Sequence, residues 1–238
     1  MTANTPEIRT IATTVHGRYL IRRPASPGPF LWLLGFHGYR EHAARHLEHL
    51  SAIPGVERWL IVSVQGLSRF YNAQSKTVVA SWMTSQDREL AIADNVDYVN
   101  GVMADVEREL GRPAAVVLAG FSQGVAMAFR AALSGDRVVD AVVALGGDVP
   151  PELTKAAPRA WPRVLVAAGT QDKFYTPAKV AADAAFFRAA GVDADLFSFE
   201  GGHEWTDAFA RRAGELLAEV ASKAFRNPAT SQTNRERD

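Results

Sequence analysis

Between residues 114 and 133 the chain reads AAVVLAGFSQGVAMAFRAAL, and no other stretch limits its folding options as much. Ala115 to Ala119 is a short, valine-rich apolar run of the kind that forms a strand buried on both faces. Val125 to Leu133 is apolar, alanine-rich and free of Gly and Pro, as a buried helix would be. Gly120-Phe121-Ser122-Gln123-Gly124 lies between them. A G-x-S-x-G pentapeptide at a strand-to-helix junction makes a turn so tight that its serine adopts a strained backbone conformation and lifts its hydroxyl out of the sheet. The residues two before and two after the serine are crowded and must lack a Cβ, as Gly120 and Gly124 do. The first N–H groups of the helix then point to where an anion would form.

Length and composition suit a fold built around such a junction. The chain has 238 residues, of which 47% are hydrophobic and 22% charged, enough for one large core without covalent staples. With 26 basic and 26 acidic residues the formal net charge is zero, so neither a nucleic-acid surface nor a polybasic membrane anchor is expected. Cysteine is absent, which excludes disulfides, thiolate catalysis and zinc–thiolate sites. The opening MTANTPEIRT has neither the basic nor the apolar region of a secretion signal, and no apolar run approaches the ~20 residues of a membrane span. The expectation is a cytoplasmic protein.

Further along the chain, strands alternate with helices. Ile8 to Thr14 and Gly17 to Arg22 read as two strands of a hairpin turning at His16-Gly17. Phe30 to Phe36, Trp59 to Val64, Ala141 to Leu145, Arg163 to Gly169 and Ala194 to Glu200 read as strands, most of them continuously apolar. Helices are expected over Glu41 to Ile53, Asp87 to Leu110, Thr176 to Ala190 and Glu204 to Phe225. On the second of these, Leu90, Ala93, Val96, Asp97, Asn100 and Met103 fall near one stripe. Gln65 to Gln86 shows no clear period and reads as a long functional loop. The pattern predicts an α/β fold, a mostly parallel sheet with helices on both faces and an antiparallel hairpin at the N-terminus. One domain is expected over residues 7–225, with flexible tails at 1–6 and 226–238. In such sheets, functional groups collect beyond the carboxyl ends of the strands.

A serine at its free pKa needs a base, and the base needs an acid to orient it. His203, in Gly201-Gly202-His203-Glu204-Trp205 after the last strand, is at the correct edge for the base. His16 lies at the wrong end. His42, His46 and His49 share a helical face with metal-ligand spacing, but no companion carboxylate or H-E-x-x-H motif accompanies them. They read as a solvated face, and neither a metal nor a cofactor is expected. Asp172 follows the strand Arg163 to Ala168 and precedes a Pro-initiated helix, which suits the chain order Ser, Asp, His. Asp148, after the preceding strand, is its competitor. An oxyanion would need two backbone donors. Gln123 N–H, directly after the serine, is one candidate and Tyr39 N–H, in the loop His37-Gly38-Tyr39, the other. His37 itself reads as a packing residue that shapes this turn.

These motifs, with Ser81-Trp82 and Gly169-Thr170-Gln171-Asp172, resemble the phospholipase/carboxylesterase family of α/β-hydrolases, which includes bacterial carboxylesterases and acyl-protein thioesterases. The similarity runs from about residue 29 to residue 222. The F-S-Q-G form of the elbow is more specific than a bare G-x-S-x-G. The resemblance implies Ser122 as nucleophile, Asp172 as acid, His203 as base, and Tyr39 and Gln123 as oxyanion-hole donors. One departure stands out: the family loop places a small apolar residue, Gly and Asp after H-G, whereas this chain has Tyr39-Arg40-Glu41, expected to narrow or polarise the pocket.

No long helical insertion separates Leu145 from Arg163, so no large cap domain is expected. Phe70, Tyr71, Trp82, Met83, Phe174 and Trp205 are the candidate pocket residues. Together they suit a small-molecule ester with a modest acyl or aromatic group. Thioester or lysophospholipid hydrolysis by the same triad is the alternative, and a hydrolase-fold protein that only binds its ligand is a third reading. A homodimer is left open.

Overall fold

The computed structural model describes residues 6–25, 28, 30–155 and 160–226. Its centre is a seven-stranded sheet in the order β1-β3-β2-β6-β7-β8-β9. The strands are β1 (Arg18–Arg22), β2 (Leu31–Phe36), β3 (Trp59–Gln65), β6 (Ala115–Phe121), β7 (Ala141–Leu145), β8 (Arg163–Gly169) and β9 (Ala194–Phe199). All pairings are parallel except β1 with β3. Every residue of β2, β3, β6 and β7 is buried, which is why these strands read as continuous apolar runs rather than as alternations.

Two cores result, one on each face. Trp32, Leu34 and Phe36 of β2 point to the face covered by α2 (Arg88–Leu110), α3 (Gln123–Ser134) and α5 (Pro177–Ala189). Leu31 and Leu33 point to the face covered by α1 (Ala43–Ser51) and α6 (Asp207–Arg226). From β2 the chain moves outward through β3 on one side, and from β6 through β7, β8 and β9 on the other. The strand order thus reverses between β2 and β6, and a crevice opens beyond their carboxyl ends, where ligands bind in open α/β sheets.

The parallel sheet with helices on both faces is as expected; several local features differ. Ile8 to Thr14 forms no strand: Ile8 and Ile11 are almost fully exposed, and β1 pairs with β3 instead of with a hairpin partner. β-Propensity there finds no neighbour to bond. Gln65 to Gln86 is not a plain loop. It carries β4 (Ser68–Tyr71) and β5 (Val78–Ser81), an antiparallel pair whose outer strand is wholly exposed and therefore lacks alternation. On α2 the buried residues are Asn95, Val96, Val99, Val102, Met103 and Val106, while Leu90 is exposed. Between β7 and β8 the described residues hold only a four-residue helix, α4 (Pro151–Thr154). Of the expected tails, only Pro6 and Arg226 lie among the described residues. No helix described is long and apolar enough to cross a membrane.

Phe129 lies at the centre of the larger core, its ring 5.9 Å from that of Trp161 and 6.3 Å from that of Phe187. Phe129→Ala should cost about 3–5 kcal/mol of unfolding free energy, read from the shift of the urea midpoint at unchanged slope.

Candidate active site

The serine turn is built as its spacing requires. Ser122 has φ 53° and ψ −119°, a strained conformation for a residue with a Cβ. Its N–H donates to Leu145 O at 2.9 Å, tying the turn to the end of β7. A Cβ on Gly120 would lie 2.4 Å from Gly124 O, and one on Gly124 would lie 1.9 Å from Phe36 O. The second glycine therefore serves a contact with β2: the first turn of α3 rests directly on the carbonyl end of that strand.

The loops after β8 and β9 are joined by backbone bonds, Thr170 N–H to Phe199 O at 2.9 Å and Gln171 N–H to Gly201 O at 2.8 Å. Gly169 permits this, since a Cβ there would lie 2.2 Å from Gly202 O. The joined loops bring Asp172 and His203 together, with His203 Nδ1 2.8 Å from Asp172 Oδ2. Asp172 is buried, and its Oδ1 accepts from Phe174 N–H at 2.8 Å and Tyr175 N–H at 2.9 Å. With both oxygens engaged the carboxylate orients the ring through Nδ1, and Nε2 stands outside this pair. The Phe121 and Phe174 rings flank the imidazole, with centroids 5.0 and 4.9 Å away. Ser122 and His203 border the same turn after β7. A Cβ on Gly147 would lie 2.6 Å from Ser122 O, and one on Gly146 3.0 Å from His203 Cε1. Asp172 is the only hydrogen-bond partner of His203 among the described residues. The competing Asp148 instead pairs with Lys179 at 3.3 Å.

The loop after β2 is held from several sides. His37 is fully buried; Gly66 N–H donates to its Nε2 at 2.9 Å, so its proton sits on Nδ1, which donates to Gly38 O at 2.7 Å. Burial lowers its pKa to about 4, opposed by the bond to Gly38. With both nitrogens occupied, His37 is a structural residue, as expected. The Glu41 carboxylate accepts from Gly38 N–H at 2.8 Å. Desolvation raises its pKa, against the pull of that bond and of Arg45. Arg40, at φ 63°, donates its N–H to Ala80 O at 3.0 Å, while Ala80 N–H donates to Glu41 O at 2.8 Å. The Tyr39 ring packs on Phe70 of β4 at 5.9 Å, and the Arg40 side chain reaches Gln74 in the turn after β4. Gln123 N–H opens α3, where no preceding carbonyl of the helix can serve it.

Of the candidate pocket residues, Phe174, Phe70 and Tyr71 are exposed, Phe174 against His203 and Phe70 against Tyr39. Trp82 is not a pocket wall: it is fully buried against Phe36 and His37, with its indole N–H donating to His37 O. Met83 packs against the larger core and bonds Gln123 through its carbonyl. Trp205 is turned into the other core, stacked on His49 at 5.0 Å and edge-on to Phe209 at 4.8 Å. This corrects the solvated histidine face as well. His46 is fully buried, with its pKa lowered to about 3 chiefly by desolvation, and His42 caps α1 by accepting from Arg45 N–H. Among the described residues no cluster of His, Cys, Asp or Glu could hold a metal ion. Sequence reasoning missed Glu41, Phe121 and the Gln123 side chain. Only the short spacing of Gly38 and Glu41 hinted at a turn closed by a carboxylate.

A parallel sheet whose order reverses beside a serine elbow, with an aspartate–histidine pair after later strands, defines the α/β-hydrolase class. Residues 67–233 match the dienelactone hydrolase family, and the chain belongs to that family. This agrees with the sequence resemblance to phospholipase/carboxylesterase α/β-hydrolases. No curated protein matches the sequence. Among solved structures, esterase PE8 is 21% identical, with a TM-score of 0.70 over 87% of this chain and 100% of that one. Acyl-protein thioesterase 2 of Zea mays is 17% identical, with a TM-score of 0.69 over 86% and 99%. The Bacillus cereus carboxylesterase is 16% identical, with a TM-score of 0.67 over 86% and 94%. At these identities the likeness is one of fold.

Two protonation effects follow. A histidine whose folded pKa is depressed stabilises the fold above its unfolded pKa, and that contribution is lost as the pH falls. Burial of His37 and His46 should therefore make urea stability decline as the pH drops from about 6.5 toward 4, measured by midpoints across that range. Glu41 has the opposite sign, because a raised carboxylate pKa means the ionised form opposes folding and the cost shrinks as the pH falls. Glu41→Gln keeps an acceptor for Gly38 N–H, so it should melt at or above the parent at pH 8. That advantage should narrow in acid, and Glu41→Ala should lose about 1–3 kcal/mol.

Proposed function

We propose that this protein hydrolyses carboxylic esters through an acyl-enzyme on Ser122. His203 takes the serine proton as the hydroxyl attacks the carbonyl carbon, and Asp172 holds the ring and stabilises the imidazolium. The N–H groups of Tyr39 and Gln123 receive the tetrahedral oxyanion. His203 then gives its proton to the departing alcohol, and water hydrolyses the acyl-enzyme by the same steps. The residues in these roles need neither metal nor cofactor. The 2.8 Å His203–Asp172 bond beside the strained Ser122 turn is the observation that carries this reading.

The substrate class follows from the rim. Phe70 and Phe174 are apolar and exposed, Phe174 stands against His203, and no long helical cap lies between β7 and β8 among the described residues. Such a mouth suits a small or medium acyl or aromatic ester whose ends reach solvent. Thioesters would use the same groups, and one structural neighbour is an acyl-protein thioesterase. Aryl esters of increasing acyl length, assayed beside acyl thioesters and lysophospholipids, distinguish the two.

Ser122→Ala should lower turnover of a p-nitrophenyl ester by at least about a thousandfold with the urea midpoint unchanged. A fluorophosphonate probe should add one adduct, mapped by mass spectrometry to Ser122. Retained turnover in the variant, or no adduct in the parent, would refute the assignment.

A further inference from the structure

The two proposed oxyanion donors come from loops 84 positions apart, yet one short segment is bonded to both sides. Ala80 exchanges two backbone hydrogen bonds with the first loop, accepting from Arg40 N–H at 3.0 Å and donating to Glu41 O at 2.8 Å. Two residues on, the Trp82 indole donates to His37 O at 2.9 Å. The same segment closes around the Gln123 side chain. Gln123 Oε1 accepts from Trp82 N–H at 3.0 Å and Gln123 Nε2 donates to Met83 O at 2.9 Å, while the Ser81 hydroxyl shares its one proton between Met83 O at 2.9 Å and Gln123 Oε1 at 3.2 Å. Ser81 and Trp82 are buried and Met83 and Gln123 half-buried, so these bonds are partly shielded from competing water. Asn95 of α2 adds a bond to Trp82 O at 2.8 Å.

We propose that the Gln123 side chain is a positioning residue: through Ala80–Met83 it locks its own N–H and that of Tyr39 at a fixed separation. This inference rests on the reading of Ser122 as nucleophile and of the two N–H groups as the oxyanion hole. A primary amide suits the role. The amide of Asn or Gln sets an acceptor and a donor side by side on one neutral group, and the longer Gln spans from the start of α3 to the end of β5. Loosening this tie leaves Ser122, His203 and Asp172 in place. It lets the two donors drift relative to each other, and that harms only the state in which the oxyanion exists.

The test is Gln123→Leu in the full chain, with Ser81→Ala as a milder partner. The assays are p-nitrophenyl ester kinetics and inhibition by an aryl trifluoromethyl ketone, whose serine adduct carries an oxyanion. The expected result for Gln123→Leu is a kcat lowered roughly 10–100-fold at nearly constant KM, with ketone affinity falling by a similar factor. Inhibition by the unreactive alcohol product should not change. Ser81→Ala should show the same split at smaller size and carries the test if Gln123→Leu does not fold. A folded variant with parental kcat and ketone affinity overturns the inference, as does a loss in KM alone. Ser122→Ala is the separate control: if it still turns over ester, the reading of the active site fails, whatever Gln123 does.

Discussion

The contact between the first turn of α3 and the carbonyl end of β2 is the constraint on which the rest of the site depends. Gly124 lies so close to Phe36 O that a methyl group there would overlap it. Because helix and strand meet backbone to backbone, the N–H after the serine and the loop after β2 share one small volume. That closeness requires β2 and β6 to be neighbours, which they are, paired in parallel from Leu31↔Ala115 to Phe36↔Gly120. The chain also leaves them in opposite directions across the sheet, the topology that opens a crevice between the two strand ends. The strain held in Ser122 is sustained by the same packing, since α3 cannot relax away from the sheet without giving up the buried residues of its own core face.

Burial then separates two histidines that are alike in the sequence. His37 and His203 each follow a strand at the same edge of the sheet. His37 is sealed, both its nitrogens are satisfied, and desolvation keeps it neutral far into acid. It can hold the β2 loop against β3 at any pH near neutrality because it does not titrate there. His203 spends one nitrogen on Asp172, lies between two aromatic rings and remains partly exposed. That leaves its other nitrogen without a hydrogen-bond partner among the described residues. The difference lies in how many partners surround each ring, not in the ring itself.

Much of this arrangement was legible in the residues, and for a common reason. Strands of a parallel sheet buried on both faces must be apolar throughout, so β2, β3, β6, β7 and β8 announce themselves without reference to distant parts of the chain. The glycines around Ser122 and the placement of Asp172 and His203 after later strands are likewise local patterns with one geometric meaning. What was not legible depends on contacts across long separations. Ile8 to Thr14 has strand propensity but no partner in the fold. β4 and β5 bond each other across a tight turn while one of them is exposed throughout, so no alternation marks them. His46 reads as polar surface but is covered because Gly35 and Trp205 leave a place for its ring against the sheet. The Gln123 side chain gave no sign of its partners, which lie some forty residues upstream.

The residues proposed to shape the substrate and those proposed to stabilise the oxyanion are joined by direct contacts. Phe70 on β4 faces Tyr39, Gln74 in the turn meets Arg40, and the end of β5 is bonded to Arg40, Glu41 and Gln123. A shift of the β4–β5 hairpin to admit a larger acyl group would therefore drag the β2 loop with it and change the spacing of the donors. On the proposed reading of the site, acyl selectivity and transition-state stabilisation are coupled through the hydrogen bonds of this hairpin. On that reading a substrate that fits poorly is disfavoured twice, once in binding and again in the chemical step, because the hairpin that yields to it is bonded to the loop proposed to hold its oxyanion.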